Sequence, residues 1–294
     1  MPLGSSREYF TFDGICSKDI DMFIINDSNG YMVSQYMPDA QNNFEITENV
    51  IIDKGRQYTE KIISLRVAVK TRNHYKLMKD IVRWLEGDTD ELKPLILSSQ
   101  PYKQYYARRT GELSPSFYPE YIVMTLQFIA LDRLSYSIFK AHEINEFMFD
   151  DERFKDSGIR SDMKYSFTEL GSKTNVEIYH GGNCDECYPK IVIKGQFTDL
   201  RITNRTTSES MTLAYSLNKG DELVVDCANK VIYVNGDYNV AGHYGDFISL
   251  KGKSGLFESI MKDGMDSGIN EIEIYTPNKH NIEEILFDFR YVYY

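Results

Sequence analysis

The sequence predicts a mainly β protein of two domains, with one helix in the first and a sandwich or jelly roll in the second. Three observations lead there. A chain of 294 residues is longer than one typical domain and can bury two separate cores. Aromatic residues make up 13% of it, with 22 Tyr and 16 Phe, side chains that favour strands and interfaces. The second half is a series of short β-rich runs at turn-like spacing.

Taken in order, residues 9–12, 22–25 and 31–36 read as strands, followed by a pair of runs over 50–70 broken at Asp53, Lys54 and Gly55, where a short hairpin loop is expected. Residues 71–86 read as the one helix, because Tyr75, Met78, Ile81, Val82 and Leu85 recur at three- and four-residue spacing. Thr71 or Asn73 can cap its first amides, and Gly87 can take the left-handed conformation that ends it. Residues 92–97 read as a buried strand, 100–111 as an aromatic connection or hairpin, and 121–131 as a long strand. The charged, weakly periodic stretch 141–160 marks the domain junction. Beyond it, strands are expected at 176–179, 190–194, 199–203, 210–217, 222–226, 230–234, 270–275 and 284–294. The strand ending in Val234 runs into Asn235-Gly236, which supplies the positive φ angles of a tight hairpin.

Charge excludes one function class. A formal net charge of -11 argues against a surface built to grip nucleic acid, which needs clustered Lys and Arg. Four cysteines, Cys16, Cys184, Cys187 and Cys227, are too few for a disulfide scaffold and are read as reduced thiols. No secretory signal opens the chain, and its longest apolar stretch, 121–131, is far short of the roughly twenty residues a membrane helix needs, so no membrane association is expected.

Chemical motifs are weak. His180, Cys184 and Cys187 carry ligand types that hold zinc, with His243 or Cys227 available through the fold as a fourth, against the simpler reading of a loop with two free thiols. Gly252-Lys253-Ser254 imitates the end of a phosphate loop but lacks the earlier glycine, that position being Phe247. The acidic run 87–91 offers hard oxygens for calcium, yet reads more simply as solvated acids at a helix end. Forty-four carboxylates leave a glycosidase pair open without singling one out, and the five histidines, His74, His142, His180, His243 and His280, lie in separate segments. The segment 102–109, with Tyr102, Tyr105, Tyr106, Arg108 and Arg109, suits either a base-stacking platform or, in an acidic protein, a structural hairpin or subunit contact. No catalytic, cofactor or metal residue is assigned, and the chain is expected not to be an enzyme.

In order and spacing the segments resemble the distal tail protein family of long-tailed phages that infect Gram-positive bacteria. Phe10-Thr11-Phe12-Asp13-Gly14-Ile15-Cys16-Ser17-Lys18-Asp19 is similar to its opening strand and turn, and Gly55-Arg56-Gln57-Tyr58 to the element before its long strand. The strongest resemblance runs from Ile63 to Tyr106, through Ile81-Val82-Arg83-Trp84-Leu85, Pro94-Leu95-Ile96-Leu97 and Tyr105-Tyr106-Ala107-Arg108. Later, the runs 188–195, 229–236, 270–274 and 287–291 are similar to its C-terminal strands, while 251–267 is longer and richer in Gly and Met than the pattern, as a surface elaboration would be.

The resemblance implies a ring-forming N-terminal domain over 1–142 and a galectin-like β-sandwich over 150–283. Strand 284–294 either closes the sandwich or returns to the N-terminal domain, the return being preferred. It implies a structural hub at the distal end of the phage tail, assembled in the host cytoplasm and present in the virion. Its partners would be itself, as a ring of six, the tail tube protein, a tail-tip protein of the tail-associated lysin kind, and receptor-binding proteins. DNA would only pass through the channel, whose acidic lining would not hold it. The alternative is a carbohydrate-binding adhesin for host cell-wall saccharide, in which Tyr238 or Tyr244 would supply the aromatic plate.

Overall fold

The computed structural model describes residues 8–25, 40–47, 50–58, 60–87, 90–144, 158–238, 242–253, 268–278 and 281–294. The predicted strand 31–36 and most of the stretch 251–267 lie outside them. The chain divides into two compact units, the first reaching Ser135 and including Tyr294, the second running from Tyr136 to Tyr293.

In the first unit, strands β1 (Phe10–Phe12), β2 (Ile15–Cys16) and β3 (Met22–Ile24) precede a two-stranded ribbon of β4 (Ala40–Thr47) and β5 (Val50–Tyr58). Then come β6 (Lys61–Lys70), helix α1 (His74–Glu86), β7 (Lys93–Leu97), β8 (Lys103–Thr110), β9 (Ser116–Tyr118) and β10 (Tyr121–Ala130). The sheet order is β2-β1-β7-β8-β10-β6-β3, with β9 on β10. Its centre is the β6/β10 pair, in register from Lys61 opposite Ala130 to Lys70 opposite Tyr121. Along β6, Ile63, Leu65, Val67 and Val69 are buried at alternate positions, and along β10 so are Ile122, Met124, Leu126 and Phe128. One face is therefore a continuous apolar surface, and a one-residue slip would turn it to solvent.

That surface is covered by α1. Asn73 caps the helix, its Oδ1 accepting the Lys76 N–H at 3.2 Å, while Thr71 Oγ1 accepts the Asn73 N–H at 3.0 Å. Both residues read as capping candidates thus act in sequence. Gly87 ends the helix at φ 62°, its N–H donating to Arg83 O. The packed stripe is Leu77, Met78, Ile81, Trp84 and Leu85. The predicted stripe needs one correction: Tyr75 and Val82 point outward, at 86% and 39% exposure. At about 100° per residue both fall roughly a quarter turn or more from the stripe's centre.

The predicted hairpin at Asp53-Lys54-Gly55 does not form, because β5 runs straight through it. The ribbon pairs Thr47 with Val50 at one end and Ala40 with Tyr58 at the other. Register shifts between Asn42, opposite Arg56, and Phe44, opposite Asp53, so that Lys54 and Gly55 together face Asn43. The glycine that suggested a turn serves a bulge.

The second unit begins with β11 (Ser135–Lys140) and continues through β12 (Ser166–Phe167), β13 (Lys173–Tyr179), β14 (Glu186–Cys187), β15 (Lys190–Asn204) and β16 (Glu209–Leu217). It ends with β17 (Glu222–Asp226), β18 (Val231–Val234), β19 (Gly242–Gly245), β20 (Leu250–Lys251), β21 (Ile269–Tyr275), β22 (Asn281–Asp288) and β23 (Arg290–Tyr293). Two five-stranded sheets, β12-β22-β15-β17-β18 and β13-β21-β15-β16-β19, share β15. Residues 190–196 of β15 pair within the first sheet and 197–204 within the second. The sequence reads this stretch as two strands, 190–194 and 199–203. It is one, bent where register shifts at Gly195, φ 110°, and at Asp199, φ 59°. A side chain on Gly195 would come within 2.4 Å of Asn281 O, so the crossing of β22 requires glycine there.

The Asn235-Gly236 turn forms as predicted, with φ 50° and 86° and reciprocal hydrogen bonds between Val234 and Asp237. The terminal run 284–294 divides at Phe289. β22 lies in the sandwich beside β15, and β23 pairs β11. Arg290 Nη1 donates to Ser137 O and Ile138 O at 2.8 and 2.6 Å, holding that second pair.

Candidate functional site

The residues read as metal-ligand types are close in sequence but occupied otherwise. His180 is fully buried, stacked on Phe289 with ring centroids 5.9 Å apart, and its Nε2 accepts the Val292 N–H at 3.2 Å. That lone pair is unavailable to a metal. Burial pushes the imidazole down to about 4, so it stays neutral. The Cys184 thiol donates to Glu186 O and the Cys187 thiol to Arg290 O. Burial raises Cys187 above the range of a reactive thiol and Cys227 to about 12. Among the described residues no three His, Cys, Asp or Glu side chains converge on a metal position. All four cysteines are free. Gly252 packs on this cluster, a Cβ there lying 2.0 Å from Cys184 O, which explains a glycine in the phosphate-loop lookalike without any phosphate.

The aromatic segment 102–109 is mostly β8, hairpinned with β7. Tyr105 is buried, so it stacks on no base; its ring lies 4.8 Å from Lys61 Nζ. Lys61 occupies an inward slot of β6 at 3% exposure and Lys103 one of β8 at 8%. Desolvation lowers both ammonium groups, Lys103 to about 8 with the like charge of Lys61 as the smaller cause. Elsewhere Trp84 fixes the helix to β1. Its Nε1 donates to Phe12 O at 3.0 Å and its ring stacks on Phe10 at 5.7 Å, Phe10 and Phe12 in turn packing on Phe128.

The arrangement with most capacity to bind is the outward face of the β13-β21-β15-β16-β19 sheet. Registers place Lys173 opposite Tyr275, Tyr275 opposite Arg201, Arg201 opposite Thr212 and Thr212 opposite Tyr244, one row across five strands. Beside it, Glu273 receives Lys173 Nζ at 2.9 Å, Arg205, and Arg201 Nη2 at 3.8 Å. The Lys173 ammonium, aided by Arg205, holds the Glu273 carboxyl below the usual carboxylate range. Arg201 also lies over the Tyr275 ring, 4.9 Å from its centroid. Thr203 and Ser210 hydroxyls meet at 3.0 Å on the same side. Tyr244, one of the two tyrosines expected as an aromatic plate, is 69% exposed at the end of this row. The other, Tyr238, is also exposed and packs on Tyr233 at the far end of the β17/β18 hairpin. Sequence reading missed Lys173, Arg201, Thr212 and Tyr275, whose only shared signal is the outward phase of alternation in four strands.

The β-sandwich of the second unit is where the chain carries a recognisable family pattern. Residues 182–259 match the model of the family described as the siphovirus-type tail component, C-terminal domain. Over that span the second unit is similar to the C-terminal domain of distal tail, or Dit, proteins. A solved structure, that of the Dit protein (gp 19.1) of SPP1, presented as a paradigm of the hub adsorption apparatus in phages infecting Gram-positive bacteria, superposes with a TM-score of 0.58 at 13% identity, over 97% of this chain and 99% of that one. A chain of the phage p2 baseplate in its activated conformation aligns over 97% and 98% at 11% identity, with a TM-score of 0.42 that adds nothing to the fold assignment. No curated protein sequence matches. The mainly β fold expected from sequence, a β-rich N-terminal unit with one helix followed by a sandwich, is the fold observed.

Proposed function

We propose that the chain is the structural hub at the distal end of a siphophage tail, six copies forming a ring that joins the tail tube to the tail-tip and receptor-binding proteins and leaves a channel for DNA. The observation that carries this reading is a fold shared with a hub protein over 97% of the chain, together with the family domain in the second unit. The ribbon of β4 and β5 supports self-association: among the described residues it pairs with no third strand, and a lone two-stranded ribbon is marginal in water until a neighbour covers it. Ring closure gives such strands a defined partner and avoids open-ended pairing. A net charge of -11 suits a passage that DNA traverses without adhering.

Light scattering on the purified full chain tests this. A discrete particle near six times 34.1 kDa, seen as a ring by negative-stain microscopy, is the expected result. A chain that stays monomeric at every concentration overturns it.

A further inference from the structure

We infer that the outward face of the β13-β21-β15-β16-β19 sheet is a binding site for an anionic glycan. Charge is the first argument. Lys173, Arg201 and Arg205 gather around Glu273, three cations on one carboxylate, a local surplus in a chain of net charge -11. Lys173 and Arg201 are about half exposed, at 55% and 46% of their side chains, so the surplus faces solvent. Glu177 and Glu271, cross-strand partners on the same face, lie four residues further along β13 and β21, about 13 Å from the Lys173/Tyr275/Arg201 row. The acidic end and the basic end of the face are thus separate.

The second argument is alternation. Along the row the side chains run cation, ring, cation, hydroxyl, ring, spanning four strand spacings of about 4.8 Å, roughly 19 Å in all. A short stretch of sugar polymer offers the complementary sequence: C–H faces for tyrosine rings, hydroxyls for Thr212, and phosphate or carboxylate groups for Arg201 and Lys173. Glu273 holds the three cations in place, so little side-chain freedom remains to be lost on binding. Nucleic acid fits poorly, because three partly exposed cations already shared with Glu273 neutralise too few phosphates.

Isothermal titration calorimetry with the full chain tests the site, using glycerol-phosphate oligomers and oligogalacturonate as phosphate and carboxylate probes, with malto-oligosaccharide and polyglutamate alongside. At least one anionic glycan is expected to bind, more weakly as salt rises, and the preferred probe identifies the charged group. Arg201→Gln and Lys173→Gln should weaken binding tenfold or more. Tyr244→Ala, outside the ion-pair network and therefore safe for folding, should weaken it at least threefold. Failure of both anionic glycans to bind, binding unmoved by Tyr244→Ala, or equal binding of the neutral glycan overturns the inference, as does equal binding of polyglutamate, which would make the face a protein contact. The outcome is separable from the ring: hexamers that bind no glycan sink this inference alone, and a glycan-binding monomer sinks the hexamer alone.

Discussion

In the first unit two amines, Lys61 and Lys103, sit in inward slots of a sheet, and burial lowers the pKa of both. In the second unit the buried carboxylates Asp226 and Glu273 are paired with cations, while His180, Tyr165, Tyr291, Cys187 and Cys227 are buried as groups that stay neutral. The neutral set is bonded within itself, Tyr165 and Tyr291 hydroxyls meeting at 2.6 Å and Tyr165 donating to Tyr179 O. A buried charge costs folding energy until it loses its proton, whereas a buried neutral base costs energy only when protons become plentiful. Both buried bases therefore give stability that rises with pH, His180 in the second unit through the acid range and Lys103 in the first through the alkaline range.

The largest test of that contrast first separates the units. Trp84 is the only tryptophan and lies in the first unit, so its fluorescence reports that unit's unfolding. Trp84→Ala removes the stack on Phe10 and the bond to Phe12 O, and is expected to cost about 3 kcal/mol in the first unit. Urea unfolding followed by far-ultraviolet circular dichroism should show one transition shifted and the other in place; a shift of both would end the treatment of the units as separate.

Acid addresses the second unit. His180 sits near 4 when folded against about 6.5 unfolded, so from pH 7 downward the unfolded chain takes up a proton that the folded one refuses. Stability should fall by about 2 kcal/mol between pH 7 and 5, above the range where carboxylates contribute most. His180→Gln keeps an acceptor for Val292 and should flatten that slope in near-ultraviolet dichroism. A slope unchanged by the substitution would assign the effect elsewhere. Base addresses the first unit, where the slope has the same sign in a higher window. Lys103 loses its proton near 8 when folded and near 10.5 when unfolded, so stability should rise by about 2 kcal/mol between pH 8 and 10. Tryptophan-monitored unfolding checks it, and Lys103→Met should abolish the rise. The smallest effect expected is from Asn73→Ala, about 1 kcal/mol from loss of the helix cap, independent of pH in both directions.

Much of this architecture was legible because local chemistry decided it. Asn73, Gly87 and Asn235-Gly236 each act through backbone groups within a few residues, so their roles survive folding unchanged. The helix stripe was half legible: Ile81 and Leu85 are inside, but Tyr75 belongs to a face that only tertiary packing could rule out. Glycine misled twice. Gly55 and Gly195 are punctuation in the sequence and bulges in the structure, since a strand continues through a positive or irregular backbone position when neighbouring strands bond on both sides of it. The cation-and-ring row was illegible for a simpler reason. Lys173, Arg201, Thr212, Tyr244 and Tyr275 meet through strand register, which no local pattern encodes, and Glu273 gains its meaning only when three cations reach it.

The bend in β15 has a mechanical consequence. Because residues 190–196 pair in one sheet and 197–204 in the other, the two layers are joined by covalent backbone as well as by packing. Sliding one sheet over the other would have to stretch that chain or break paired strands on both sides together. Under tension such a seam resists shear in its plane while the outer faces of the two sheets remain free to vary.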